Sequence, residues 1–161
     1  MRAVAVDLDA LGDTRALWRD FLADAARRFA AISPLDPDSL PADRAAASQE
    51  LDRWAAAGVG DWRHALERFA EDRAPVYLRP SADASAALRA LAAAGIRIGV
   101  YTDAPEALAR TALAHLGAER RVDALETGAG ARDRLVARLG GEQVAVAATM
   151  ADLAKINADA G

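Results

Sequence analysis

There is no cysteine in this chain, and lysine occurs once, at Lys155. The first absence removes disulfides, thiolate nucleophiles and cysteine metal ligands together. With only two histidines, His64 and His115, a structural zinc site is short of ligands as well. The scarcity of lysine leaves any chemistry that needs one a single candidate, since the other basic side chains are all arginine. No apolar run approaches the roughly 18–20 residues of a membrane span, so no membrane partner is expected. The stretch before Asp7 has neither a basic leader nor a long apolar segment, which leads us to expect a cytoplasmic protein. Positive charge is in deficit too. A net charge of −4 and a pI near 5.2 speak against a nucleic-acid partner bound through a broad basic surface, and point to small molecules instead.

What is present reads as one soluble α/β domain carrying an insertion. The 161 residues, 53% of them hydrophobic, suffice for one core. Ala3-Val4-Ala5-Val6 is a short apolar run ending at Asp7-Leu8-Asp9, the pattern of a buried parallel strand. From Thr14 the spacing turns helical, through Leu17, Trp18, Phe21, Leu22, Ala25 and Phe29. A loop rich in proline follows between Ser33 and Pro41, then two helices over about 42–57 and 61–72 separated by Gly58-Val59-Gly60. After Pro75 to Pro80 helices and strands alternate. Helices are expected over 81–94, 105–116, 133–139 and 150–160, and strands over 96–101, 122–125 and 143–148. Alternation of this kind implies a Rossmann-like parallel sheet covered on both faces. The expected division is a core of residues 1–13 and 75–161 with a helical cap of residues 14–74.

In open parallel sheets ligands bind beyond the carboxyl ends of the strands, which directs attention to Asp7, Asp9, Thr102, Asp103, Thr149 and Asp152. Asp7 and Asp9 project to the same side if strand geometry persists, an arrangement suited to one carboxylate attacking while the other moves a proton. An isolated Asp-x-Asp also serves simply to solvate a strand exit or to cap a helix.

The order of the pieces resembles the haloacid dehalogenase (HAD) superfamily across essentially the whole chain: Asp7-Leu8-Asp9 after a first strand, a helical insertion, a strand closed by Thr102-Asp103, and a final segment containing Asp152. The resemblance implies a HAD-like hydrolase, a phosphatase of a small phosphorylated metabolite working through an aspartyl-phosphate intermediate. Asp7 would be the nucleophile, Asp9 the general acid and base, and Thr102, with Asp103 beside it, the phosphoryl binder. Mg²⁺ would be held by Asp7, Asp9 (through its backbone carbonyl) and Asp152. Arg132 or Arg134 would balance the nucleophile's charge where the family places a lysine or arginine. In the cap, Trp18, Trp54 and Trp62 at helical spacing are expected in the core, and Trp62 and Arg63, which follow a glycine turn, are also the candidate substrate contacts.

The sequence departs from the family pattern at several points. Ala10-Leu11-Gly12-Asp13-Thr14 follows Asp9 in place of Gly-Thr-Leu-x-Asp, and the third motif, around Thr127 to Arg134, has no lysine. Ala147-Ala148-Thr149-Met150-Ala151-Asp152 keeps one of the two acids usual in the fourth. The chain stops at Gly161, where the family continues into a further strand and helix, so a sheet lacking that strand is expected, with a homodimer across its edge as the expected assembly. Three functional readings follow: a magnesium-dependent phosphatase, a catalytically inactive HAD-like protein that binds a ligand or protein partner, and, less well matched to Asp9 and Thr102, a dehalogenase.

Overall fold

The computed structural model describes residues 1–161. Strands β1 (Ala3–Asp7), β2 (Arg97–Thr102), β3 (Ala124–Thr127) and β4 (Val144–Ala147) form one parallel sheet in the order β3-β2-β1-β4. Eight helices accompany them: α1 (Leu8–Leu11), α2 (Arg15–Arg28), α3 (Arg44–Ala55), α4 (Trp62–Tyr77), α5 (Ala82–Ala93), α6 (Glu106–His115), α7 (Ala131–Leu139) and α8 (Met150–Ala160). No helix is long and apolar enough to cross a membrane. The expected α/β class and parallel sheet are observed, with four strands.

β1 lies inside the sheet, hydrogen-bonded to β2 on one side and β4 on the other, so Ala3 to Val6 are buried on both faces. That is why the strand is an unbroken apolar run rather than an alternating one. Its two faces still differ in size. Ala5 stands in register with Gly99 and Val146, and Gly99 with Ala124, a row of mostly small residues beneath α7. A Cβ on Gly99 would come within 2.7 Å of Leu135 Cδ1 and 2.8 Å of Leu139 Cδ1, so the missing side chain at Gly99 lets α7 approach the sheet. On the opposite face Val4, Val6, Ile98 and Val100 join Leu91 of α5, Leu108 of α6 and Leu153 of α8.

That larger core does not stop at the sheet. Trp18 and Phe21 of α2, Leu51 and Trp54 of α3, and Trp62 and Leu66 of α4 belong to the same buried cluster as Val4 and Val6. The inserted helices therefore share the interior of the α/β layer. α4 also runs further than expected. Pro75 lies within it, and the helix continues to Tyr77 instead of ending at Asp72. Near a helix C-terminus the ring removes one amide hydrogen bond, while Ala70, Ala74 and Leu78 stay buried against the core. The expected junction at residues 74–75 falls inside this helix. β3 begins at Ala124, two residues beyond the expected start, because Asp123 is engaged with β2: its carboxylate accepts from Ile98 N–H at 2.7 Å.

The chain leaves β1 for β2 and β3 on one side and returns to β4 on the other. The carboxyl end of β1 is thus the switch point of the sheet, the position at which open α/β folds form a ligand crevice.

Candidate active site

Asp7 is the last residue of β1 and the N-cap of α1. The backbone turns helical at Leu8, and Asp7 Oδ1 accepts a hydrogen bond from Asp9 N–H at 2.9 Å. Strand geometry ends at Asp7, so the condition under which the two carboxylates would share a strand face is not met. Asp9 sits in the first turn of α1, and the two carboxylates are related by a cap. Asp7 Oδ2 has no protein donor, and Asp7 lines a cleft of about 970 Å³. Burial pushes the Asp7 carboxyl above the usual carboxylate range; the charges of Asp9 and Asp103 add to the rise, and the Asp9 amide and Arg44 oppose it.

Asp9 is fully engaged. Its Oδ1 accepts from Thr14 N–H at 3.0 Å and from Thr14 Oγ1 at 2.6 Å, and its Oδ2 accepts from Arg44 Nη2 at 2.9 Å. Arg44, the first residue of α3, was not singled out from the sequence, yet it is the centre of the site. It is 5% exposed. Its Nε donates to Asp103 Oδ1 at 2.8 Å and its backbone N–H to Asp103 Oδ2 at 3.0 Å. Nη1 donates to Thr14 Oγ1 at 2.6 Å, and Nη2 reaches Thr102 Oγ1 at 3.4 Å. One guanidinium from the cap thus fastens the exits of β1 and β2 together. A faint signal was present: a cation at a helix N-terminus opposes the helix dipole, so some other group must hold it there.

Thr102 ends β2, buried, its Oγ1 accepting from Ala104 N–H at 3.2 Å. Its hydroxyl hydrogen has no protein acceptor. Both Asp103 oxygens accept from Arg44, and the carboxylate stays partly exposed at the cleft. Across the cleft, Gly128 to Arg132 lead into α7, whose N-cap Gly130 has φ +67° and supplies no side chain to the helix's first amides. Arg132 lines this wall without an acid partner and acts on Tyr101, whose phenol is pushed up by burial and by the charge of Asp7. Arg134 points elsewhere. It bonds to Glu126 Oε2 at 3.2 Å, to the Thr127 carbonyl at 2.6 Å and to the Ala129 carbonyl, bracing the loop. Of the two arginines proposed for charge balance, Arg132 alone reaches the cleft.

Asp152 lies outside the cleft lining. Its Oδ2 accepts from Ala148 N–H at 3.1 Å and Thr149 N–H at 2.9 Å, forming a capping box with Thr149 at the start of α8. Those hydrogen bonds, from Thr149 foremost, hold its carboxyl below the usual range. Trp62 lies in the core and is not a substrate contact. Its ring is 3% exposed, packed against Trp18 and Phe21, with Nε1 donating to Asp52 at 2.9 Å. Arg63 stacks on that ring at 4.4 Å and pairs with the same Asp52, beside a neighbouring groove. The glycine turn thus starts α4 and buries its tryptophan against the other aromatics. The cleft is lined instead by Asp13 and, from the helices above it, by Arg15, Trp18, Arg19, Leu22 and residues of the segment 37–44. Asp13 pairs with Arg15 at 2.7 Å, which brings its carboxyl down to about 2.

A parallel α/β core with its crevice at the end of the first strand, an aspartate there and a helical insertion above define the HAD-like fold, and comparison with solved structures agrees. A protein assigned as a β-phosphoglucomutase from Thermotoga maritima superposes over 98% of this chain and 82% of its own, with a TM-score of 0.58 at 18% identity. CbbY from Rhodobacter sphaeroides, solved in complex with phosphate, superposes over 91% of this chain and 76% of its own, with a TM-score of 0.65 at 18% identity. At these identities the likeness shows the fold. No protein-family model and no curated protein sequence matches the chain.

Proposed function

We propose that the chain is a hydrolase of small phosphorylated metabolites, with Asp7 as its nucleophile. The observation that carries this reading is the position of Asp7: at the switch point of the sheet, lining the cleft, partly desolvated, one oxygen fixed by the Asp9 amide and the other without a protein donor. Oδ2 would attack phosphorus as the ester oxygen leaves, giving an aspartyl phosphate that water then cleaves. The Thr102 hydroxyl, the uncapped start of α7 and Arg132 are the groups that would receive the phosphoryl oxygens. That CbbY was solved in complex with phosphate supports a phosphoryl ligand.

Magnesium, which the family resemblance implies, is poorly served by these residues. Asp7 offers a carboxylate oxygen and Asp9 a backbone carbonyl, but no three acids are grouped to hold a metal. The Asp9 and Asp103 carboxylates belong to Arg44, and Asp152 is spent on its cap.

One observation favours a second reading. Because Thr14 and Arg44 occupy both oxygens of Asp9, the group expected to protonate the leaving oxygen is withheld, as in a protein that binds a phosphorylated ligand or a protein partner without turnover. Hydrolysis of an aryl phosphate and a panel of phosphorylated metabolites by the wild-type protein and Asp7→Asn separates the two. Turnover lost in the variant supports the hydrolase. Wild-type rates equal to those of the folded variant support the binder.

A further inference from the structure

We infer that Arg44 is the resident counter-cation of this site, taking the charge-balancing place that a divalent metal ion would otherwise fill. Three acids, Asp7, Asp9 and Asp103, meet at the exits of β1 and β2. Unbalanced, such a group repels both itself and any anionic ligand, and proteins relieve that repulsion with a bound cation or a paired side chain. Here the relief is covalently attached. The guanidinium is almost wholly buried and spans Asp9 and Asp103 at 2.9 and 2.8 Å. A planar fork of fixed donors suits two carboxylates just past the exits of neighbouring strands, as a single ammonium would not.

The same contacts turn Asp9 and Asp103 toward Arg44 and away from a common centre, which explains why three acids so close together form no metal-binding group. Arg44 also opens the first turn of α3 with only Asp43 as its cap, so its charge there is unfavourable unless the acids attract it. The acids neutralise a misplaced arginine, and the arginine neutralises the acids. This inference concerns the site's own charges. It stands whether Asp7 turns a substrate over or only binds one.

The test is a calorimetric titration of the full chain with MgCl2 alone, and with MnCl2 followed by electron paramagnetic resonance. The wild-type protein is expected to show no saturable uptake at millimolar metal; saturable uptake that Asp7→Asn abolishes overturns the inference. Arg44→Gln, which removes the charge and keeps a hydrogen-bonding group, is expected to gain a Tm that rises saturably with Mg²⁺. Arg44→Lys, which keeps the charge, is expected to stay indifferent. A Gln variant as unresponsive as the wild type overturns the role given to Arg44. Should the Gln variant not fold alone, its refolding from urea with and without Mg²⁺ decides: recovery only with metal supports the inference, and failure in both overturns it. A parallel thermal shift with inorganic phosphate, in chelator and in Mg²⁺, separates this inference from the hydrolase reading. Equal shifts support both, and a shift that requires Mg²⁺ overturns the inference alone. Absence of phosphate binding in either condition overturns the phosphoryl reading, with the metal titrations still deciding the role of Arg44.

Discussion

Replacing Arg44 by alanine is expected to be among the most damaging single changes to stability that the site can suffer. The backbone N–H bond to Asp103 survives the substitution, but the bonds from Nε to Asp103, Nη1 to Thr14 and Nη2 to Asp9 are lost. Removing one partner of a buried ion pair costs roughly 3–5 kcal/mol, because the other charge is left stranded. Two features reduce that figure. Asp103 is 37% exposed and Asp9 21%, so water replaces part of what is lost, and Asp9 keeps its two bonds from Thr14. The expected cost is about 2–4 kcal/mol, which at ~2–4 °C per kcal/mol for a chain of this size lowers Tm by about 5–15 °C. Urea denaturation followed by far-ultraviolet circular dichroism measures the free energy, and calorimetry the Tm. A double-mutant cycle with Asp9→Asn isolates the pair. A loss below about 0.5 kcal/mol, the range of ordinary surface substitutions, would refute the view that Arg44 joins the cap to the core.

Asp7→Asn is expected to stabilise the protein at neutral pH. The folded-state carboxyl titrates above its ordinary value of 3.8, so its ionised form opposes folding above the folded pKa and ceases to do so below the unfolded one. Comparing Tm for the wild type and the variant across pH should show a gain at pH 7 that shrinks as pH falls through the folded pKa toward 3.8; a gain independent of pH would contradict the burial argument. Gly99→Val is expected to cost roughly 1–3 kcal/mol by overpacking, since even its Cβ meets Leu135 and Leu139 below 3 Å. A denaturation midpoint unchanged from wild type would mean that α7 moves away freely. Arg132→Ala, at an exposed position without an acid partner, is expected to leave Tm within about 1 °C while weakening inorganic phosphate binding several-fold in a thermal-shift titration. Unchanged phosphate binding would remove Arg132 from the site.

Most of the architecture was legible because it rests on local, periodic signals. The apolar run Ala3–Val6, the glycine breaks at Gly95 and Gly117, and the alternation of helix with strand identify a parallel α/β sheet without any knowledge of contacts. The same reasoning directed attention to Asp7 and Thr102, because strand ends are readable from spacing, whereas Arg132 came only from the family resemblance. Where it failed, distance along the chain was the cause. Arg44 lies far in sequence from Asp9 and Asp103, and nothing in its neighbourhood reveals that α3 begins over the exits of β1 and β2. Trp62 sits in the same kind of glycine turn that a substrate-facing residue would occupy, and only the meeting of α2 with α4 shows it to be core. Asp152 has the sequence position of a metal acid and the hydrogen bonds of a helix cap, two roles one spacing permits. The sequence by itself determined which segments are strands and helices, since those depend on neighbours a few residues apart. Which charges meet in the crevice was decided by tertiary structure alone, because electrostatic pairing depends on distances through space that the linear order does not contain.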